Sequence, residues 1–293
     1  QSINSFVTAN SSTLATNGAT KAIGYYDNAY NTWTNYTTSS IGGAGNFPLG
    51  KGFQMGTIAN GTGILSFTGS PAATNQTQAI INNDAANLGT GARWNLVANP
   101  FPSYIQGNTS ADSSNNFLTI NSDKLHDSYE AIYGYDADGT GYTIYNNSIG
   151  SGALLIAPGQ AFMVASDNTS SDNISFTTQM RTVVGGDDLI LGRIMQDSYQ
   201  LILSINDGDT EIDQTKFYFQ DGLNLKLDPG YDAGHFNQQA ALTSRLVEED
   251  EGVGFAINAM GLESIDDVVI PLVVNRESGN EFRISIHNKG VFE

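Results

Sequence analysis

Slid along itself by 109 residues, the chain matches itself. Ala22-Ile23 falls on Ala131-Ile132, Tyr26-Asp27 on Tyr135-Asp136, and Thr34 and Tyr36 on Thr143 and Tyr145. Gly50 falls on Gly159, Phe53 on Phe162, and Ser66-Phe67-Thr68 on Ser175-Phe176-Thr177. Of the 47 positions from 22 to 68, 14 are identical without a gap. Self-similarity at a fixed offset means that one structural unit is used twice. Upstream, Phe6 to Ser11 resembles Phe117 to Ser122 at an offset of 111.

Within each copy the pattern is that of strands and turns. Ala22–Tyr26 and Ala131–Tyr135 read as strands, each ending in a polar turn. An aromatic strand follows, carrying Trp33 and Tyr36 or Tyr142 and Tyr145, whose neighbours alternate between two faces. Leu49–Met55 and Ala157–Val164 read as a turn into a core strand, and Ile64–Thr68 and Ile174–Thr177 as a last strand. Between the copies, Trp94–Val97 reads as a buried strand stopped by Asn99-Pro100 and Pro102. Asp84–Leu88 and Ser122–Tyr129 are each long enough for one helical turn. Turn signals every 8–12 residues or so predict a sandwich or barrel.

The composition changes near Gly185, becoming richer in Asp, Glu, Leu and Ile. Here Gln200–Asn206 alternates and ends in Asn206-Asp207-Gly208-Asp209, a strong turn signal. Thr215–Phe219 reads as the returning strand, with Val253–Asn258, Val268–Val274 and Glu281–His287 as three more. The expected architecture is therefore all-β: tandem β-sandwich repeats over 1–90 and 91–185, then an immunoglobulin-like β-sandwich over 186–293. The first repeat lacks the opening strand that precedes the second, and the third segment ends soon after its last strand. Both are expected to be truncated.

A net charge of -18 excludes the basic footprint that a nucleic-acid partner requires. No apolar run reaches the ~18 residues of a membrane span, so direct membrane insertion is not expected. The absence of cysteine removes thiol catalysis, zinc-thiolate sites and disulfides.

Several stretches resemble the large secreted and surface proteins that Bacteroidota export through the type IX secretion system, in the region before the C-terminal sorting domain. They are Trp94 to Ser103, Ile156 to Val164, Phe176 to Arg181, Tyr199 to Asp207, Phe217 to Phe219, Asp228 to Ala233 and Phe255 to Ala259. The resemblance covers residues 92 to 293 and is not specific to one activity. It implies a secreted or bacterial cell-surface location and a fragment or processed product of a longer protein.

Candidate sites are few. Asp136 and Asp138 alternate as in a calcium loop, but no Glu stands at the distance where a bidentate ligand is needed. A hairpin turn is the competing reading. Asp207, Asp209 and Asp213 surround another turn, and Asp228, Asp232 and His235 form a third polar cluster. Calcium is the one cofactor these groups suggest. Trp33, Tyr30 and Tyr25, with Tyr26 and Tyr36, could stack sugar rings, although alternation sends half of them to a core. The three histidines share no metal-ligand spacing. There is no Gly-x-Ser-x-Gly elbow, phosphate loop or His-Glu-x-x-His.

The expected function is thus non-catalytic: an extracellular structural or adhesive β-repeat protein whose partners are other copies of itself or other surface proteins. A module missing one strand leaves an open sheet edge, a template for strand addition and filament assembly. The alternative is a glycan-binding accessory module of a secreted polysaccharide-degrading enzyme.

Overall fold

The computed structural model describes residues 1–59, 63–84, 92–136, 141–185, 190–193, 199–237, 239–277 and 281–289. Strand makes up 40% of the chain and helix 11%, arranged as several sheets, so the class is all-β. Packing divides the chain into two compact units, residues 1–105 with 156–189 and residues 106–155 with 190–293. The linear division at 90 and 185 does not coincide with these units.

In the first unit the strand Thr20–Asp27 is flanked by Thr32–Thr37, Thr16–Asn17 and Gln54–Met55. Ile23 from this sheet meets Ile3, Phe6 and Val7 of the helix Ile3–Ala9, with Leu14 and Ile41, in an apolar core that Tyr36, Phe47 and Phe53 flank. Trp94–Ala98 pairs with Ala161–Ala165, and Gln76–Ile80 with Asp172–Phe176, both antiparallel. The Leu49–Met55 segment docks on the first of these pairs. Gly50 supplies the left-handed turn at φ 85°, and a Cβ on Gly52 would lie 2.6 Å from Leu96 Cγ.

The Asn99-Pro100-Phe101-Pro102 stretch is held by one buried side chain. Asn99 Nδ2 donates to the carbonyls of Ser103, Ile156 and Ala157, and its Oδ1 accepts from Phe101 N. Arg181 lies over the Phe101 ring and donates to Ser103 Oγ. The stretches that carry the surface-protein resemblance in this unit are thus packing and turn residues.

The second unit is built on a sheet in the order Leu272–Val274, Leu242–Ser244, Phe255–Gly261, Thr210–Gln220, Tyr199–Asp207, Arg283–Lys289. Thr210–Gln220 runs parallel to Phe255–Gly261, and the other ladders are antiparallel. Leu203, Ile205, Phe217, Phe219, Leu242 and Met260 form its core. The same unit contains the hairpin Ile132–Asp136/Gly141–Tyr145 and the helix Phe117–Asn121.

Local structures recur at the repeat offset. Tyr26 opposes Trp33 across the first hairpin, and Tyr135 opposes Tyr142 across the second. Gly50 and Gly159 both have positive φ. Phe6 and Phe117 are buried helix residues, and the asparagine four positions on, Asn10 or Asn121, donates its amide to their carbonyls at 2.9 Å.

Three expectations need correction. Ile64–Thr68 is not a strand, whereas its counterpart Asp172–Phe176 is. The second copy has Gln76–Ile80 to pair with; in the first, the Asn10 side chain bonds both the N–H and the carbonyl of Ser66 in place of a ladder. Val268–Val274 shortens to Leu272–Val274, because only these residues face Leu242–Ser244. Ser122–Tyr129 is two separate 3-10 turns, Ser122–Lys124 and Asp127–Tyr129, following the helix. Asp84–Leu88 lies almost wholly outside the described residues.

Candidate functional site

The second unit holds a cleft of about 590 Å³, open between the hairpin strand Gly141–Tyr145 and Thr210–Gln220. Tyr142, Ile144, Gln214, Lys216, His235 and Phe236 are among its lining. The Phe236 ring stacks on Tyr142 at 3.9 Å and 26°, and lies 6.0 Å from the buried Tyr133. Tyr133 in turn donates its hydroxyl to Gly234 O at 2.8 Å. The loop after Ala233–Gly234 therefore covers the face of this hairpin that carries Tyr133, Tyr142 and Ile144.

One carboxylate anchors that loop. Asp213 Oδ2 accepts from the backbone of Ala241 and Leu242, and Oδ1 lies 3.2 Å from His235 Nε2. His235 Nδ1 accepts from Asn237 N at 3.0 Å, so the proton sits on Nε2 and is given to Asp213. Burial alone pushes the Asp213 carboxyl up. The hydrogen bond from His235, with the backbone donors Leu242 and Gln214, outweighs it and holds the carboxyl below its usual range. Both imidazole nitrogens are spent on the loop. This constellation fixes a conformation and offers no free base.

Asp232 is fully buried and accepts from Asp228 N and Ala259 N, both at 2.7 Å. Burial pushes its carboxyl up to about 7 against those two donors, helped by the charge of Asp228. Glu130 is also pushed up to about 7, by burial first and then by Asp127. Its Oε1 would be 3.0 Å from a Cβ on Gly230. The Asp228–Asp232 turn thus holds one buried carboxyl and packs its Gly230 against another.

Among the described residues the acidic calcium candidates do not converge. Asp207 opposes Thr210 at the hairpin end and accepts from Arg276, while Asp213 opposes Ile205 further along and is committed to the loop. Asp209 lies in the turn between them. Asp138 falls outside the described residues, and Asp136 is the last described residue of its strand. Among the described residues no group of three or more His, Asp or Glu side chains is placed to hold a metal ion.

The aromatic candidates divide between two faces. Trp33 is 42% exposed and meets Tyr26 edge-on at 5.4 Å. Tyr25 lies on the opposite face, against Tyr36 and under Lys51. Tyr30, 72% exposed, stands in the turn. Trp33 and Tyr25 therefore belong to different surfaces. On the Trp33 face, Asn35, Gly24 and Gln54 form a row across three strands, and Gln54 Nε2 donates to Asn35 Oδ1 at 2.7 Å.

The sequence matches the family described as a domain of unknown function (DUF8693) over residues 3–293. The chain belongs to that family. No curated protein and no solved structure matches it.

In this DUF8693 chain one further surface stands out. Among the described residues, Arg283–Lys289 ends the sheet of the second unit, and its Ile284 and Ile286 oppose the core residues Ile205 and Leu203. They point to the core side of the sheet yet remain 40% and 69% exposed, with Phe282 exposed beside them. Sequence reasoning places this strand but not its role as an edge, since edge position is a property of topology. It also misses the Asp213–His235 pair, 22 residues apart, and the Asn35–Gln54 bridge.

Proposed function

We propose that the chain is a non-catalytic structural or adhesive protein that associates with other copies of itself by strand addition. The observation that carries this reading is the Arg283–Lys289 strand. Natural edge strands are usually kept short, charged or covered. This one spans seven residues and shows Ile284 and Ile286 on the side where the core lies. A strand from a second copy would pair its open backbone groups, and that copy's apolar side chains would cover the isoleucines. Each isoleucine so covered contributes on the order of 1–2 kcal/mol.

The same reading takes the two copies as tandem β-sandwich repeats and the third segment as an immunoglobulin-like sandwich. A seven-strand sheet that buries apolar residues on both faces, with Leu203, Phe217 and Met260 on one and Tyr218, Ile257 and Ala259 on the other, supports this. It places the protein at the bacterial cell surface as type IX secretion cargo, supported by the sequence resemblance and the acidic, cysteine-free composition.

Light scattering of the whole chain across a concentration series tests the association. The wild type is expected to form dimers or longer species below ~100 µM, a weak association by the standard of specific protein interfaces. Ile284→Lys with Ile286→Lys is expected to be monomeric with its melting temperature kept. A monomeric wild type throughout the series overturns the reading.

A further inference from the structure

We propose that the first hairpin carries a binding face for a neutral saccharide, with Trp33 as its stacking floor. The inference is independent of the edge strand and starts from the difference between the two copies. In the second hairpin the face bears Tyr133, Tyr142 and Ile144, and a flat ring, Phe236, already lies on Tyr142. In the first, the same positions are Gly24, Trp33 and Asn35. Asn35 has turned polar and is exposed, as a solvated face requires, and Gly24 is buried beneath it where no Cβ fits. The third has become a larger aromatic and stays 42% exposed. Solvation accounts for Asn35 and close approach for Gly24, but neither accounts for Trp33.

The neighbours of Trp33 define what it can hold. Asn35 and Gln54 lie one row further along the strands, about 7 Å away. Their mutual bond uses Gln54 Nε2 and Asn35 Oδ1, leaving Asn35 Nδ2 as a donor and Gln54 Oε1 as an acceptor. Gly24 lies beneath this bridge, where a Cβ would be 2.4 Å from Asn35 Oδ1. Tyr26 completes the aromatic row, its hydroxyl donating to Asn31 Oδ1. An apolar protein loop such as the one carrying Phe236 would leave both amides desolvated without partners. A sugar ring presents C–H groups to the indole and hydroxyls to the amides. Trp33, Tyr26, Asn35 and Gln54 are all uncharged in a chain of net charge -18, so the face suits a neutral glycan rather than an acidic one.

The test is calorimetric titration of the full chain with cellohexaose, laminarihexaose, mannohexaose and xylohexaose, and with oligogalacturonate as the charged control. At least one neutral hexaose is expected to bind. Trp33→Ala should weaken it about tenfold or more, Asn35→Ala about threefold, and Trp33→Tyr less than either. All three variants should keep the wild-type melting temperature, and Ile284→Lys with Ile286→Lys should bind sugar as the wild type does. The proposal is overturned if no neutral hexaose binds at millimolar concentration, if Trp33→Ala binds unchanged, or if oligogalacturonate binds best. It is also overturned if Trp33→Ala changes only self-association, which would make the face a contact between copies.

Discussion

The two hairpins share a backbone plan and differ in what lies on one face. Thr20–Asp27/Thr32–Thr37 and Ile132–Asp136/Gly141–Tyr145 both set an aromatic pair across the strands, at ring separations of 5.4 and 5.5 Å. Over the second lies a loop that carries Phe236 and is tied down by Asp213. Over the first, no described residue takes that place. The sequence difference follows from the cover: Tyr133 and Ile144 where a loop packs, Gly24 and Asn35 where it does not. The repeat thus preserves the scaffold while each copy's environment sets the face.

If cover is what separates the copies, removing it should cost stability in the second copy alone. Tyr133→Ala removes a fully buried ring and a hydroxyl bond to Gly234. It should lower unfolding stability by about 3–5 kcal/mol. Urea denaturation measures this. A loss below about 1 kcal/mol would show that the covering loop does not depend on the hairpin.

Asp213→Ala attacks the anchor of the cover. It leaves Ala241 N, Leu242 N and the His235 ring without their acceptor, at an expected 2–4 kcal/mol or so. Its effect should be non-additive with Phe236→Ala, because both act through one loop. A double-mutant cycle in urea checks this, and full additivity would separate anchor from cover.

Acid should act on the same compact unit, in two directions. Glu130 and Asp232 have folded-state values near 7, above the ~4 of an unfolded carboxyl, so the folded state holds more protons between those limits. Stability from these two groups therefore rises as pH falls from about 7 to about 4, by up to about 4 kcal/mol each. Asp213 has the opposite sign: its contribution is present above the unfolded value and is lost as pH falls through its lowered folded value. Stability of the second unit should peak in mildly acidic solution. The position matching Glu130 in the first copy is Lys21. Hydrogen exchange at pH 5 and 7.5 should show stronger protection at the lower pH around Asp228–Asp232 and little change around Lys21, once intrinsic rates are corrected. Glu130→Gln should remove part of that difference.

Much of this comparison is visible in the sequence, and the missing parts have physical reasons. Strands whose alternation is local, such as Thr32–Thr37 and Tyr199–Asp207, appear where the pattern puts them. Ile64–Thr68 has the same local pattern as its strand-forming counterpart, and only the presence of a ladder partner separates the two. The helix Ile3–Ala9 carries Asn4, Ser5 and Thr8, which compete with helix. The Ser2 cap, burial of Phe6 and the Asn10 amide hold it instead, and of these burial has no local signature. The Asp213–His235 pair joins two elements that sequence spacing does not relate. The Trp33 face could have been found from the repeat alone, by asking which positions keep their character between copies and which change.

Gly24→Tyr makes the first copy resemble the second at one position. A side chain there would start 2.6 Å from Thr34 O and 2.4 Å from Asn35 Oδ1, so a strand as well as an amide must shift. A loss of about 1–3 kcal/mol is expected. Thermal unfolding that matched the wild type would mean that the face is more adaptable than its close Gln54–Asn35 bridge implies.

Trp33→Ala is the counterpart change with the smallest expected effect on stability. Trp33 matches Tyr142, but among the described residues no loop rests on it, and its ring meets Tyr26 edge-on. Truncation should cost within ~0.5 kcal/mol, the usual range for an exposed position, while Tyr142→Ala should cost several times more because Phe236 loses its partner. Paired melting curves of the two variants decide this. If Trp33→Ala destabilised as much as Tyr142→Ala, the exposed ring would belong to the hairpin's own packing, and the contrast between a covered and an open copy would fail at its central position. If it left folding untouched, the chain would be keeping a large aromatic side chain in water that its fold does not need, and a ligand would be the remaining reason for it.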